Sequence, residues 1–102
     1  MKKLIYVSAM AMGLMALPAH AAGDAAAGKA KSAPCAGCHG ANGISGNDLW
    51  PNLAGQKAGY LVKQIKDFKA GTRKDPMMGA MVMGLSDQDI EDLAAFYAAG
   101  GK

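Results

Sequence analysis

The chain has 102 residues, 51% apolar and 19% charged, with a formal net charge of +3, two cysteines, two histidines and eight methionines. That is the length of one domain, and two cysteines are too few to build a disulfide scaffold. The basic balance would invite a nucleic-acid or anionic-membrane partner, but Lys2 and Lys3 carry part of it and stand in a segment of a different kind.

Residues 1–21, MKKLIYVSAMAMGLMALPAHA, combine two lysines, an apolar run from Leu4 to Leu17 and a small-residue Ala19-His20-Ala21 site. This is the anatomy of a secretory signal peptide, and the run is short for a bilayer span of about 20 residues. Cleavage near Ala21 would leave a single domain, 22–102, exported to the periplasm without a membrane anchor. Its nine basic and eight acidic residues sum to +1, which withdraws the nucleic-acid reading. A domain of this size buries only about 60% of its unfolded surface, so a staple or a bound group is expected at its centre.

The first predicted helix runs over Asp24–Ala33 (DAAAGKAKSA), with Asp24 as N-cap and Gly28 as a weak point costing about 1 kcal/mol relative to Ala. It leads directly into CAGCHG, residues 35–40. C-x-x-C-H in an exported chain is the attachment motif for c-type haem: the thiols of Cys35 and Cys38 add across two vinyl groups, and His39 lies beneath the iron as proximal ligand. A redox-active C-x-x-C would call for a βαβ pattern that the chain lacks. A zinc site needs about four ligands, so two Cys and one His would require a carboxylate to complete the set.

From Gly40 to Gly59 the sequence GANGISGNDLWPNLAGQKAG reads as an irregular loop. It has no strand before it and no G-x-G-x-x-G, so it is not a phosphate cradle; Leu49, Trp50 and Leu53 suit it to wrapping an apolar object. Tyr60–Ala70 places Leu61, Ile65 and Phe68 on one face and is closed by Gly71, an amphipathic helix. Its lysines, with Lys57, Arg73 and Lys74, offer either a solvated face or a docking surface.

Residues 76–83, PMMGAMVM, hold all four methionines that follow the leader. With His39 the only remaining histidine, bis-histidine ligation is excluded and methionine is the usual sixth ligand. Spacing alone leaves Met77, Met78, Met81 and Met83 open as that ligand. The last predicted helix opens at Ser86 with capping-box spacing and carries Ile90, Leu93, Ala94 and Tyr97 along one face.

Taken together, AAGKAK, CAGCHG, PNLAGQ (51–56), RKDPMM (73–78) and LSDQDIEDLAAFYA (85–98) resemble the class I cytochromes c, in particular the small soluble monohaem type of bacteria and each half of the dihaem cytochromes c. The resemblance covers essentially residues 22–102. It implies an all-α fold of three to four short helices and loops wrapped around one haem c held by Cys35 and Cys38. It further implies a Pro51 carbonyl bonded to the second ring nitrogen of His39, and Met78 as the distal ligand. One departure is Ser32, small and polar where many relatives are bulky, so Phe96 or Tyr97 is expected to fill that space.

An iron with both axial positions occupied offers no open site, and the resemblance therefore implies a one-electron carrier rather than an enzyme. The expected role is a monomeric periplasmic shuttle between respiratory or photosynthetic complexes. Its partners would be membrane cytochrome complexes, oxidases or dehydrogenases met by transient electrostatic docking. The alternatives are a five-coordinate haem c sensor or peroxidase, or a haem c subunit fixed within a dehydrogenase or oxidase complex.

Overall fold

Asp24 opens the first helix as expected: the backbone N–H groups of Ala26 and Ala27 donate to its carboxylate at 2.9 and 3.2 Å. The computed structural model describes residues 22–102; the expected signal peptide, residues 1–21, lies outside the described residues. Five helices follow in order: α1 (Ala25–Lys31), α2 (Ala33–His39), α3 (Ala58–Ala70), α4 (Pro76–Val82) and α5 (Asp87–Ala98). No strand occurs among the described residues, and the fold is all-α.

Two of these elements were not separate in the sequence. The predicted first helix breaks at Ser32, because Pro34 stands in the first turn of a new helix, where its missing N–H costs nothing. The haem motif therefore rides on its own helix, α2. Asp75-Pro76 likewise starts α4: Met77 and Met78 donate their N–H groups to the Asp75 carboxylate at 2.9 and 3.0 Å. An Asp N-cap followed by Pro is the start signal that the methionine run obscured.

The terminal helices form the frame. α5 packs against α1 and α3, and α4 lies on α3. Gly28 is what lets α1 and α5 meet, since a Cβ there would stand 2.0 Å from the Asp92 carbonyl oxygen and 2.8 Å from Phe96 Cβ. The glycine that weakens an isolated helix thus permits its closest crossing. Phe96, Ile90 and Leu93 are the largest fully buried side chains, each contributing about 1.5–3 kcal/mol by burial. Of the two side chains expected beside the small Ser32, Tyr97 is its neighbour, whereas Phe96 lies against Gly28; Ser32 is itself buried, with its Oγ donating to Lys29 O at 2.8 Å. α5 begins with the expected capping box: Asp89 N donates to Ser86 Oγ and Ser86 N to Asp89 Oδ2, both at 3.0 Å.

Polar contacts seal the α1–α5 seam. Asp92, 3% exposed, accepts from Asp24 N at 2.8 Å, Gln88 Nε2 at 2.9 Å and Lys31 Nζ at 2.6 Å. These donors, the Lys31 ammonium first among them, lower its pKa to about 2.

Candidate functional site

α2 ends at His39 because Gly40 takes φ 87°, a left-handed conformation that side chains resist. A Cβ at Gly40 would also meet the Ile44 carbonyl at 1.9 Å, so the chain can turn at once into the loop. The loop folds back on itself: Leu53 N and Ala54 N donate to Gly43 O at 2.8 and 3.0 Å, and Gly55 N donates to Tyr97 O at 2.8 Å. This return carries Pro51 over the histidine. His39, 7% exposed, has its Nδ1 at 2.8 Å from the Pro51 carbonyl oxygen. A carbonyl only accepts, so Nδ1 carries the proton and Nε2 keeps its lone pair for a metal.

Nε2 belongs to a side chain lining a cavity of about 600 Å³. Cys35 and Cys38 line it from α2, Trp50 and Leu53 from the loop, Leu61, Ile65 and Phe68 from α3, and Leu93 and Tyr97 from α5. α4 contributes Met77, Met78, Met81 and Val82. Every apolar residue predicted for the α3 face reaches this cavity. Leu49 also borders it, but is 84% exposed at the mouth rather than wrapped inward. Met78 is half-buried, whereas Met77, Met81 and Met83 are exposed; Met83 does not line the cavity.

Sequence reasoning missed part of the lining. Arg73, assigned to a basic surface, instead reaches the cavity wall, where its Nη1 donates to Gln64 Oε1 at 2.7 Å and its guanidinium lies 4.5 Å from the Phe68 ring centroid. Lys63 is paired with Asp67 at 2.6 Å, and Lys69 donates to the Leu85 carbonyl. Several cations of the expected docking face are therefore engaged within the chain. Tyr97, expected on the core face of the last helix and beside Ser32, also brings a buried hydroxyl that makes no hydrogen bond of ordinary geometry, with Cys35 and Ser32 as its polar neighbours. Burial, with the neighbouring Cys35, pushes the Tyr97 hydroxyl well above the ordinary tyrosine range. Burial likewise raises the Cys35 thiol.

The residues present fit a haem. Both cysteines are free and half-buried on the cavity wall, Cys35 one turn before and Cys38 next to a histidine whose free ring nitrogen is available to iron. Among the described residues no three His, Cys, Asp or Glu side chains form a group that could hold a metal ion, so no carboxylate completes a zinc set here. The lining is largely apolar, as the faces of a macrocycle require. A helical domain of this kind, with two thiols and a histidine at one cavity, defines a c-type haem protein.

The comparisons agree. The Cytochrome c family profile matches residues 25–98. The chain is 50% identical to cytochrome c4 of Pseudomonas aeruginosa over 99 residues, 97% of this chain and 49% of that protein. It is 47% identical to cytochrome c-554(548) of Halomonas halodenitrificans over 81 residues, 76% of this chain and 98% of that protein. The crystal structure of reduced recombinant cytochrome c4 from Pseudomonas stutzeri superposes with a TM-score of 0.75 at 45% identity, covering 78% of this chain and 46% of that one. The chain thus spans about half the length of the cytochrome c4 proteins it matches. It belongs to the cytochrome c family, and its cofactor is haem c attached covalently through Cys35 and Cys38. Among the described residues no helix is long and apolar enough to cross a membrane.

Proposed function

We propose that residues 22–102 form a single-haem periplasmic electron carrier, exported by cleavage near Ala21, with His39 and Met78 as the axial ligands. Haem c supplies a reversible one-electron change at iron. The carrying observation is the 2.8 Å bond from His39 Nδ1 to the Pro51 carbonyl, which fixes the tautomer and turns Nε2 toward use as a ligand. Met78, half-buried on the cavity wall and held by the Asp75 cap, is the best-placed thioether of the four.

The chain's own residues then hold both ligands, exclude water with Trp50, Leu61, Ile65 and Leu93, and leave the mouth near Leu49 and Tyr60 open for electron exchange. Arg73 is held by Gln64 and Phe68, and no second histidine exists among the described residues, which favours the carrier over a peroxidase. The role proposed is shuttling as a monomer between respiratory or photosynthetic complexes, with docking by Lys57 and Lys66, the cations of the basic surface whose side chains have no partner among the described residues. The test is the visible spectrum of the purified protein. A sulfur-to-ferric band that is lost in Met78→Ala and kept in Met81→Ala supports the reading. A high-spin spectrum that shifts with carbon monoxide gives the five-coordinate sensor or peroxidase instead.

A further inference from the structure

Residues 77–83 hold four thioethers, and the proposed ligation uses one. Met83 is 61% exposed and lies off the cavity lining, Met77 and Met81, 57% and 47% exposed, stand on its rim, and the buried anchor of the segment is Val82 at 4%. Their placement is nonetheless specific. Met77 and Met81 border the cavity beside Met78, separated by one helical turn on α4, while Met83 stands just outside it. What distinguishes methionine from leucine at an exposed site is its sulfur, which accepts an oxygen atom from a two-electron oxidant according to how open its lone pairs are.

We propose that Met77, Met81 and Met83 form an oxidisable fence around Met78, consuming hypohalous acids and peroxides before they reach the ligating sulfur. This inference rests on the proposed ligation by Met78. With hypochlorous acid, an outer sulfur gains an S=O bond and loses two electrons, while the O–Cl bond breaks to leave chloride and a proton. The product is a sulfoxide that sulfoxide reductases return to the thioether. At positions exposed to water its polarity displaces no packing. At Met78 the same product would set a polar S=O in an apolar cavity and remove the donor from the metal. Met83 is open whatever fills the cavity and reacts first; Met77 and Met81, on the rim, follow; Met78 is last.

The test titrates the holoprotein with hypochlorous acid up to about three equivalents and reads each methionine by peptide mass spectrometry, with the sulfur-to-ferric band recorded alongside. The expected result is sulfoxide at Met83, then Met77 and Met81, with Met78 taking at least roughly fivefold less and the band retained. In the M77L/M81L/M83L variant the same dose should oxidise Met78 several-fold more and bleach the band. Equal oxidation of Met78 in the native protein, or no rise in the triple variant, overturns the fence. A band missing before any oxidant is added refutes the ligation instead, and the order of sulfoxide formation still reports on the fence by mass alone.

Discussion

Lys31 Nζ lies 2.6 Å from Asp92 Oδ2 and 2.8 Å from Asp89 Oδ1, so a single ammonium on α1 joins two carboxylates on α5. The pairing raises the Lys31 pKa and lowers both acids, Asp92 to about 2. A carboxylate whose folded pKa is depressed stabilises the fold fully above its unfolded pKa of about 3.9, and that contribution fades as pH falls toward the folded value. Stability should therefore drop between about pH 4 and pH 2. Asp92→Asn should lower the thermal midpoint at pH 7 and flatten this acid limb. An unchanged limb would place the acid sensitivity elsewhere.

Gly28→Ala tests the crossing. Helix propensity alone would gain about 1 kcal/mol, but the added Cβ meets the Asp92 carbonyl at 2.0 Å. Overpacking against backbone should prevail and leave a net loss of about 1–3 kcal/mol in denaturant unfolding. A more stable variant would mean that α1 and α5 do not approach this closely.

Asp75→Ala removes the cap from α4, which costs about 1 kcal/mol. Because Met78 is one of the two residues whose N–H the cap holds, the proposed ligation by Met78 predicts that the sulfur-to-ferric band disappears at a lower temperature than in the native protein. The ferrous haem spectrum should meanwhile persist through the covalent attachment at Cys35 and Cys38. A band as stable as the native one would show that α4 is held by Val82 packing alone.

Tyr97→Phe removes a buried hydroxyl that makes no hydrogen bond of ordinary geometry to its polar neighbours Cys35 and Ser32. Leaving such a group unsatisfied costs about 1–3 kcal/mol, so the variant should be as stable as the native protein or more stable by up to that amount. A loss beyond about 1 kcal/mol, read by thermal unfolding, would reveal a bond that the hydroxyl makes in the holoprotein.

The parts of the site that were legible in sequence are those fixed by local chemistry. CAGCHG specifies its thiols and histidine by spacing, and Ser86 and Asp89 specify the start of α5 by mutual capping. The amphipathic face Leu61, Ile65, Phe68 reaches the cavity because a helix has one period and the face had one destination. What stayed hidden depends on residues meeting across the chain. Gly28 reads as a defect until Asp92 is laid against it. Arg73 reads as one cation in a run until Gln64 and Phe68 claim it. Tyr97 scores as core on its helix face, and its lone hydroxyl appears only when Cys35 and the loop surround it.

The hydrogen bond from Asp24 N to Asp92 Oδ1 spans 68 residues of sequence. Ends that must find each other across such a distance make closure a slow step in folding, because the contact rewards the chain only after most of its entropy is lost. Once closed, the ring of chain is indifferent to modest changes in its length: even a doubling of a flexible loop adds only about 0.6 kcal/mol. The exposed stretch from Gly46 to Leu49, which reaches the cavity mouth at Leu49, is therefore the place where the loop can lengthen or shorten. The shape presented to a partner can be altered there while the frame that positions His39 and the cysteines stays as it is.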